Sequence, residues 1–294
     1  MFKKIYINLK FIVKKSFEFT AAIFAILGFI GTLAPLDSII SEEIPMVIRV
    51  GISVGTIIAI WLFLFIAISI YLVKKSRFKV LAIGNNYHVY VQYGDVFSSG
   101  IVINEERRRK IVIPVNRCFD TVVDDDLITS NTLHGTSMKK LYQDGRYNEQ
   151  SLDHDIQKYL EKGQYAVEII GRAQKKKGNL KRYPIGTMAE IRVDDKLTYF
   201  FLGLSALRQD LHAEMSNEEY ALALIRMIEF CNARSQGFPV IIPLIGAGHM
   251  RRPEKDVLQY LVMLLKMNRD LVNCDIHIVI PIDAMDRISI ADVI

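Results

Sequence analysis

Two long apolar stretches near the start of the chain restrict its folding more than any other feature. The first runs from about Phe17 to Leu36 and the second from about Val47 to Val73, with Trp61 mid-span and Tyr71 near its exit. About 20 apolar residues in a helix cross the hydrocarbon of a bilayer. Backbone in lipid must also satisfy its own hydrogen bonds, so runs of this kind are helical. The short connection between them holds Asp37, Glu42 and Glu43, with no Lys or Arg before Arg49, while basic residues flank both outer ends. By the positive-inside tendency this predicts a two-helix transmembrane hairpin with both termini in the cytoplasm. A cleaved signal peptide does not explain the first run, because no clear small-x-small site precedes a mature start and a second span follows. No ionisable residue sits mid-span, which argues against a transporter or proton relay. Gly51 and Gly55 have the Gly-x-x-x-Gly spacing that lets helices approach closely, either within the hairpin or between protomers.

Charge separates this part from the rest. Residues 1–79 hold ten Lys/Arg and four acids; against totals of 37 and 32, that leaves 27 basic and 28 acidic residues for 80–294. The net charge of +5 therefore belongs to the N-terminal part. The remaining 215 residues are nearly neutral and long enough for one α/β domain with a full core. Neutrality argues against nucleic acid as the main partner. Cys118, Cys231 and Cys274 are odd in number and widely spaced, so neither a disulfide framework nor a zinc site is expected. A reduced, cytosolic domain fits; Cys118 reads as packing before reactivity.

Within 80–294, Pro239–His249 reads Pro-Val-Ile-Ile-Pro-Leu-Ile-Gly-Ala-Gly-His. A short continuous apolar run is the pattern of a strand buried on both faces. It ends in Gly246-Ala247-Gly248, and a helical pattern follows from about Arg252. Glycines let backbone N–H groups approach a phosphate without a Cβ in the way, and a helix N-terminus favours negative charge. A second buried-strand pattern, Lys110–Val115, leads into a long connection containing Asn116, Arg117, Cys118, Phe119 and Asp120, then Asp124–Asp126, then His134 and Gly135. Long loops at strand ends in α/β proteins are usually functional. Upstream, Val89–Val96 reads as a strand ending in Gly94-Asp95-Val96.

These features resemble the macro domain, an ADP-ribose-binding α/β fold. The resemblance implies that Asp95 holds the adenine, that Asn116 lies in the first loop, and that Gly246-Ala247-Gly248 forms the phosphate loop. The order Pro-Val-Asn-Arg-Cys-Phe-Asp-Thr, Asp-Asp-Asp, Leu-His-Gly, Tyr183-Pro-Ile-Gly-Thr187 and Pro-Leu-Ile-Gly-Ala-Gly is similar to the divergent macro domain of Thoeris anti-phage effectors of the membrane-anchored type, in which two transmembrane helices precede that domain. The likeness covers essentially the whole chain. It departs from ordinary macro domains in the first loop, where the Asn-Ala-Ala-Asn and Gly-Gly-Gly runs are missing; that puts hydrolase chemistry in doubt and leaves binding intact.

The expected architecture is thus a mixed sheet flanked by helices (80–294) behind a membrane hairpin (1–79). Strands are expected near 80–83, 88–93, 110–115, 165–170, 198–204, 239–245 and 276–282, and helices near 135–143, 151–162, 216–235 and 253–270. The site residues expected to bind ligand are Asp95, Asn116, Arg117, Phe119, Asp120, His134, Gly135, Gly246, Ala247, Gly248 and His249, with no catalytic residue, metal or cofactor. Lys175–Arg182 reads as a solvated loop, and Asp124–Asp126 as helix-capping or ligand hydrogen bonding rather than a metal site. The resemblance implies a multi-pass protein of the bacterial inner membrane that is not an enzyme. An ADP-ribose-derived messenger, histidine-ADP-ribose, made from NAD by a separate TIR-domain enzyme, would trigger homo-oligomerisation and membrane disruption leading to cell death. A membrane-tethered ADP-ribosyl hydrolase, using Asn116, Asp120 or His249, and a passive ADP-ribose reader are the alternatives.

Overall fold

Lys110–Val115 and Pro239–Ile245 alternate nothing: every residue in each core stretch is apolar or buried, so each strand must be covered on both faces. The computed structural model, which describes residues 2–33, 45–83, 86–102, 106–248 and 250–293, shows how. It divides into two compact units, Met1–Ser76 with Met285–Ala291, and Arg77–Ala284 with Asp292–Ile294.

In the first unit, α1 (Phe2–Ile7), α2 (Leu9–Leu33) and α3 (Met46–Lys74) are helical. Among the described residues, α3 alone is long and apolar enough to cross a membrane, with a mean hydropathy of 2.7 and most of its surface uncovered by protein. The expected first span is covered only in part. Lys10, Lys14, Lys15 and Glu18 occupy the start of α2, leaving an unbroken apolar stretch of Phe19–Leu33. At about 1.5 Å per residue that is about 22 Å, short of the roughly 30 Å of hydrocarbon. Residues 34–36 of the expected span, and the acidic connection after it, lie outside the described residues. Gly51 and Gly55 meet nothing within 4 Å where a Cβ would stand, so they do not serve packing inside this unit.

In the second unit the strands are β1 (Arg77–Ile83), β2 (Tyr87–Tyr93), β3 (Arg109–Asn116), β4 (Glu168–Ile169), β5 (Lys181–Arg182), β6 (Met188–Arg192), β7 (Leu197–Leu207), β8 (Ala213–Glu214), β9 (Val240–Pro243) and β10 (Ile276–Ile280). The main sheet runs β1-β2-β10-β9-β3-β7-β6, with β8 added to β7. The five central strands are mutually parallel, and β1 and β6 close the two edges antiparallel. Helices α4 (Leu133–Gln143), α5 (Glu149–Glu161), α6 (Asn217–Arg234) and α7 (Glu254–Met267) cover it. Strand periodicity sorts the core: Ile111, Ile113, Phe201 and Ile241 face Met138 and Leu141 of α4 and Leu152, Ile156 and Leu160 of α5. The opposite face meets α6 and α7, as Phe200 packs edge-on against Phe230 and Ile242 lies with Ile228 and Leu265. The result is a three-layer α/β/α domain with a mixed sheet.

Several expectations shift. The unit begins at Arg77, where β1 starts, rather than at 80. The stretch 165–170 forms only β4, paired with β5 off the main sheet, and its Val167 and Ile169 are exposed. The short strands β5, β6 and β8 carry too few residues for periodicity to register. Capping residues are where local chemistry puts them: Asn148 and Ser216 each make a reciprocal capping box at the starts of α5 and α6, and Thr132 accepts from the Gly135 N–H at the start of α4.

Candidate ligand-binding site

Five parallel strands point their carboxyl ends to one edge of the sheet, and in open α/β sheets the crevice outside those ends is where ligands bind. The chain leaves that edge at Gly94-Asp95 after β2, at Asn116-Arg117 after β3, at Leu244–Gly248 after β9 and at Pro281 after β10. Asp95, Asn116 and Gly246–Gly248 are thereby brought to one edge by topology, although they lie up to 153 positions apart, from 95 to 248.

Asp95 is exposed at the end of β2, where its Oδ1 accepts the Phe97 N–H at 3.0 Å. Gly94 before it is packed closely, since a Cβ there would stand 2.5 Å from Ile101 Cδ1. Asn116 is buried and its Oδ1 accepts the Cys118 N–H at 3.0 Å, turning the chain out of β3. Phe119 has a left-handed φ of 51° and a fully buried ring packed edge-on against Tyr183 at 5.6 Å. It supports the loop from beneath. Burial pushes the Cys118 thiol up, which makes it a packing residue rather than a nucleophile.

Asp120 is buried too. Its Oδ2 meets Lys175 Nζ at 2.5 Å and its Oδ1 accepts the Asn179 N–H at 2.6 Å. Burial pushes this carboxyl up, against the pull of Lys175 and the Asn179 N–H. With both oxygens engaged inside the protein, Asp120 is a strut between two loops. Lys175 is fully buried, so the segment read as a solvated loop is instead pinned by its first lysine. Nearby, Asp124 Oδ1 accepts the N–H groups of Asp126 and Leu127, and Asp125 Oδ1 that of Ser130. Lys176 and Lys177 pair with Asp126 and Asp124, so the acidic and basic triplets face each other across the loops.

His134 is buried at the start of α4, with Nε2 3.0 Å from the Asp120 carbonyl. Desolvation lowers its pKa to about 4. The ring is therefore neutral at pH 7, and because a carbonyl only accepts, Nε2 carries the proton and donates. Gly135 is forced by packing: a Cβ would lie 2.3 Å from the Thr129 carbonyl oxygen. Both residues hold the loop onto α4.

The glycine turn after β9 is built differently from the expectation. Gly246 has φ 91°, a conformation that disfavours any Cβ, and sits against Tyr220 and Arg252. At Gly248 a Cβ would meet nothing within 4 Å, so open space lies in front of that backbone. Ala247 donates its N–H to the Leu244 carbonyl, while the amides of Gly246 and Gly248 find no backbone acceptor among the described residues. His249 lies outside the described residues. Helix α7 starts only at Glu254, behind Pro253, and its first turn carries Glu254 and Asp256. Carboxylates already sit at its positive end, which leaves that helix terminus poorly suited to an anion.

The first turn of α6 ties the loops together. Arg117 donates to the Tyr183 carbonyl at 2.8 Å and to Glu219 at 3.1 Å. Arg252 donates to Asn217 at 2.9 Å and lies 4.3 Å over the Tyr220 ring. The Tyr220 hydroxyl, its pKa pushed up to about 12 by burial, donates to the Ile245 carbonyl at 2.8 Å. Asn217, Glu219, Tyr220, Arg252 and Lys175 escaped sequence reasoning. Helical spacing marks Tyr220 as core, and nothing local tells that α6 begins beside the glycine turn; only Arg252, four residues past Gly248, carried a readable signal.

Comparison with known proteins agrees with this architecture. The family described as "Thoeris protein ThsA, Macro domain" matches residues 89–281, from β2 through the end of β10. Thoeris protein ThsA of Bacillus amyloliquefaciens (strain Y2) is 26% identical over 175 residues, covering 59% of this chain; the aligned part spans about half, 53%, of that relative's length. A crystal structure of a protein from Bacteroides thetaiotaomicron covers 66% of this chain and 99% of its own, at 10% identity and a TM-score of 0.37, too distant to carry an argument. With more than half of its length matched, and with every loop of the candidate site inside the match, this chain belongs to the ThsA macro-domain family.

Proposed function

We propose that this protein is an anti-phage effector of the Thoeris type whose macro domain binds an ADP-ribose derivative, histidine-ADP-ribose by the family resemblance, and answers by assembling in the membrane. The observation that carries the reading is the convergence of the Gly246–Gly248 turn and the Asn116–Asp120 loop on the first turn of α6, at the carboxyl edge of the sheet. Open space before Gly248 and two loop amides without a backbone acceptor among the described residues suit a diphosphate, and the exposed Asp95 carboxylate suits an adenine amine. A TIR-domain enzyme would supply the ligand. Binding without turnover is favoured because Asn116 and Asp120 spend their side chains on the protein's own amides and on Lys175, leaving neither poised as a base.

In this reading α3 crosses the bilayer beside a second span that begins in α2, with both flanks facing the cytoplasm. The basic residues at 3–15 and 74–79 support that orientation. Since Gly51 and Gly55 face open space, they suit contact between protomers. Calorimetry of the full-length protein in detergent, with ADP-ribose and its amino-acid conjugates, tests the binding. Saturable binding without product formation is expected. Turnover of the ligand that is lost on Asn116→Ala would transfer the reading to a hydrolase.

A further inference from the structure

We propose that Arg252 is the cation that meets the phosphate charge of the ligand at the glycine turn, giving this site its selectivity for phosphate-bearing nucleotides. This rests on the ligand-binding reading above and names the side chain that reading lacks. Arg252 is fixed at several points: its Cζ lies 4.3 Å from the Tyr220 ring centroid, its Nη1 donates to Asn217 at 2.9 Å, and its backbone N–H reaches the Gly246 carbonyl at 3.2 Å. Tyr220 is itself fixed by its bond to the Ile245 carbonyl. The arginine is therefore tied to the glycine turn that has open space before Gly248.

Among the described residues, no carboxylate forms an ion pair with Arg252. Arg117, the other arginine at this rim, is matched by Glu219 at 3.1 Å, whereas the described partners of Arg252 are neutral, and its Nε is buried with no acceptor. That nitrogen is closed off, but Arg252 as a residue is only partly buried, so the rest of its guanidinium is what an incoming oxygen anion can reach. The positive end of α7 does not supply this charge, because Glu254 and Asp256 occupy its first turn. An arginine, with its planar fork of donors, matches phosphate oxygens two at a time, which a lysine does not. The close packing at Gly246, where a Cβ would stand 3.1 Å from both Arg252 Cδ and Tyr220 Cε2, also shows why a glycine is needed to seat this side chain.

The test uses full-length protein in detergent and two probes, ADP-ribose and adenosine, each titrated at low and high NaCl. Arg252→Gln is expected to weaken ADP-ribose binding at least tenfold and to flatten its salt dependence, with adenosine binding unchanged. Arg252→Lys should recover part of the loss, which a purely structural role in holding Tyr220 would not predict for one probe alone. Wild-type protein that binds ADP-ribose while Arg252→Gln and Arg252→Lys bind it equally well and with the same salt dependence overturns the assignment of Arg252. Wild-type protein that binds neither ADP-ribose nor its conjugates removes the ligand reading, and this inference with it.

Discussion

Asp120 and Lys175 show most directly what a single residue decides here. Each is buried, and each answers the other's charge. Removing one partner strands the other, which typically costs about 3–5 kcal/mol, whereas replacing both by apolar groups of similar volume is often tolerated. Lys175→Met is thus expected to lower the urea midpoint sharply, and Asp120→Leu/Lys175→Met to regain much of the loss. Equal midpoints for the wild type and the single variant would show that the pair holds nothing. Asp95 is the converse case. It is exposed, and its carboxylate accepts the Phe97 N–H as its one bond among the described residues, so Asp95→Ala should cost little stability but about 1–3 kcal/mol of binding if its carboxylate accepts from adenine. Calorimetry beside a thermal melt separates the two effects.

At the scale of an element, the turn between β9 and α7 makes the sharpest division. Gly246 holds a positive φ against Tyr220, so any β-carbon there strains the fold by about 1–2 kcal/mol before ligand is considered. Gly248 faces open space. Gly248→Leu is expected to melt like the wild type and to lose ADP-ribose binding, because its side chain would fill the room before the loop amides. Normal binding by Gly248→Leu would move the phosphate elsewhere. The α6 cap belongs to the same scale: Ser216→Ala removes one half of a capping box and should cost about 1 kcal/mol of stability, read from denaturant unfolding. Because α6 carries Asn217, Glu219 and Tyr220 in its first turn, the same change should also loosen both loops.

Across the whole molecule, two buried histidines contribute to the response to acid. Desolvation lowers His134 to about 4 and His277 to about 3. His277 sits in the middle of the sheet, stacked on Tyr90 at 5.0 Å. Folded pKa values below the ordinary value of about 6.5 mean that the unfolded chain binds the extra protons. The stability they contribute is therefore full above about pH 6.5 and falls as pH drops toward 4, by an amount on the order of a few kcal/mol. Melting curves between pH 7 and 4.5 should show this, and His134→Gln should flatten the slope. Assembly is the other property of this scale. A ligand shifts an equilibrium only by its difference in affinity for the two states, so the proposed ligand-driven assembly requires that the assembled form bind more tightly. Gly55→Leu is expected to leave ADP-ribose affinity intact and to reduce the ligand-induced increase in size of the detergent-solubilised protein. A variant that assembles as the wild type does would take Gly55 out of the interface.

The buried strands, the glycine turn and the apolar helix α3 were legible in the sequence because each rests on a local cause: a residue buried on both faces must be apolar, and only glycine takes a positive φ without strain. The same local reasoning found the edge of the sheet where the loops gather, through the strand ends at Asp95, Asn116 and Gly246. It could not tell a residue that lines the crevice from one that props it up. Asn116, Phe119, Asp120, His134 and Gly135 look alike in the sequence as loop residues, yet their side chains or Cβ positions turn inward to Cys118, Tyr183, Lys175, the Asp120 carbonyl and Thr129. Lys175 read as solvated because its neighbours are lysines, and only the fold places a buried carboxylate in front of it. Arg252 and Asn217 meet across 35 positions of chain, a separation that no periodicity reports. Burial and local geometry are written residue by residue; the pairing of charges is decided by where the sheet brings distant loops together.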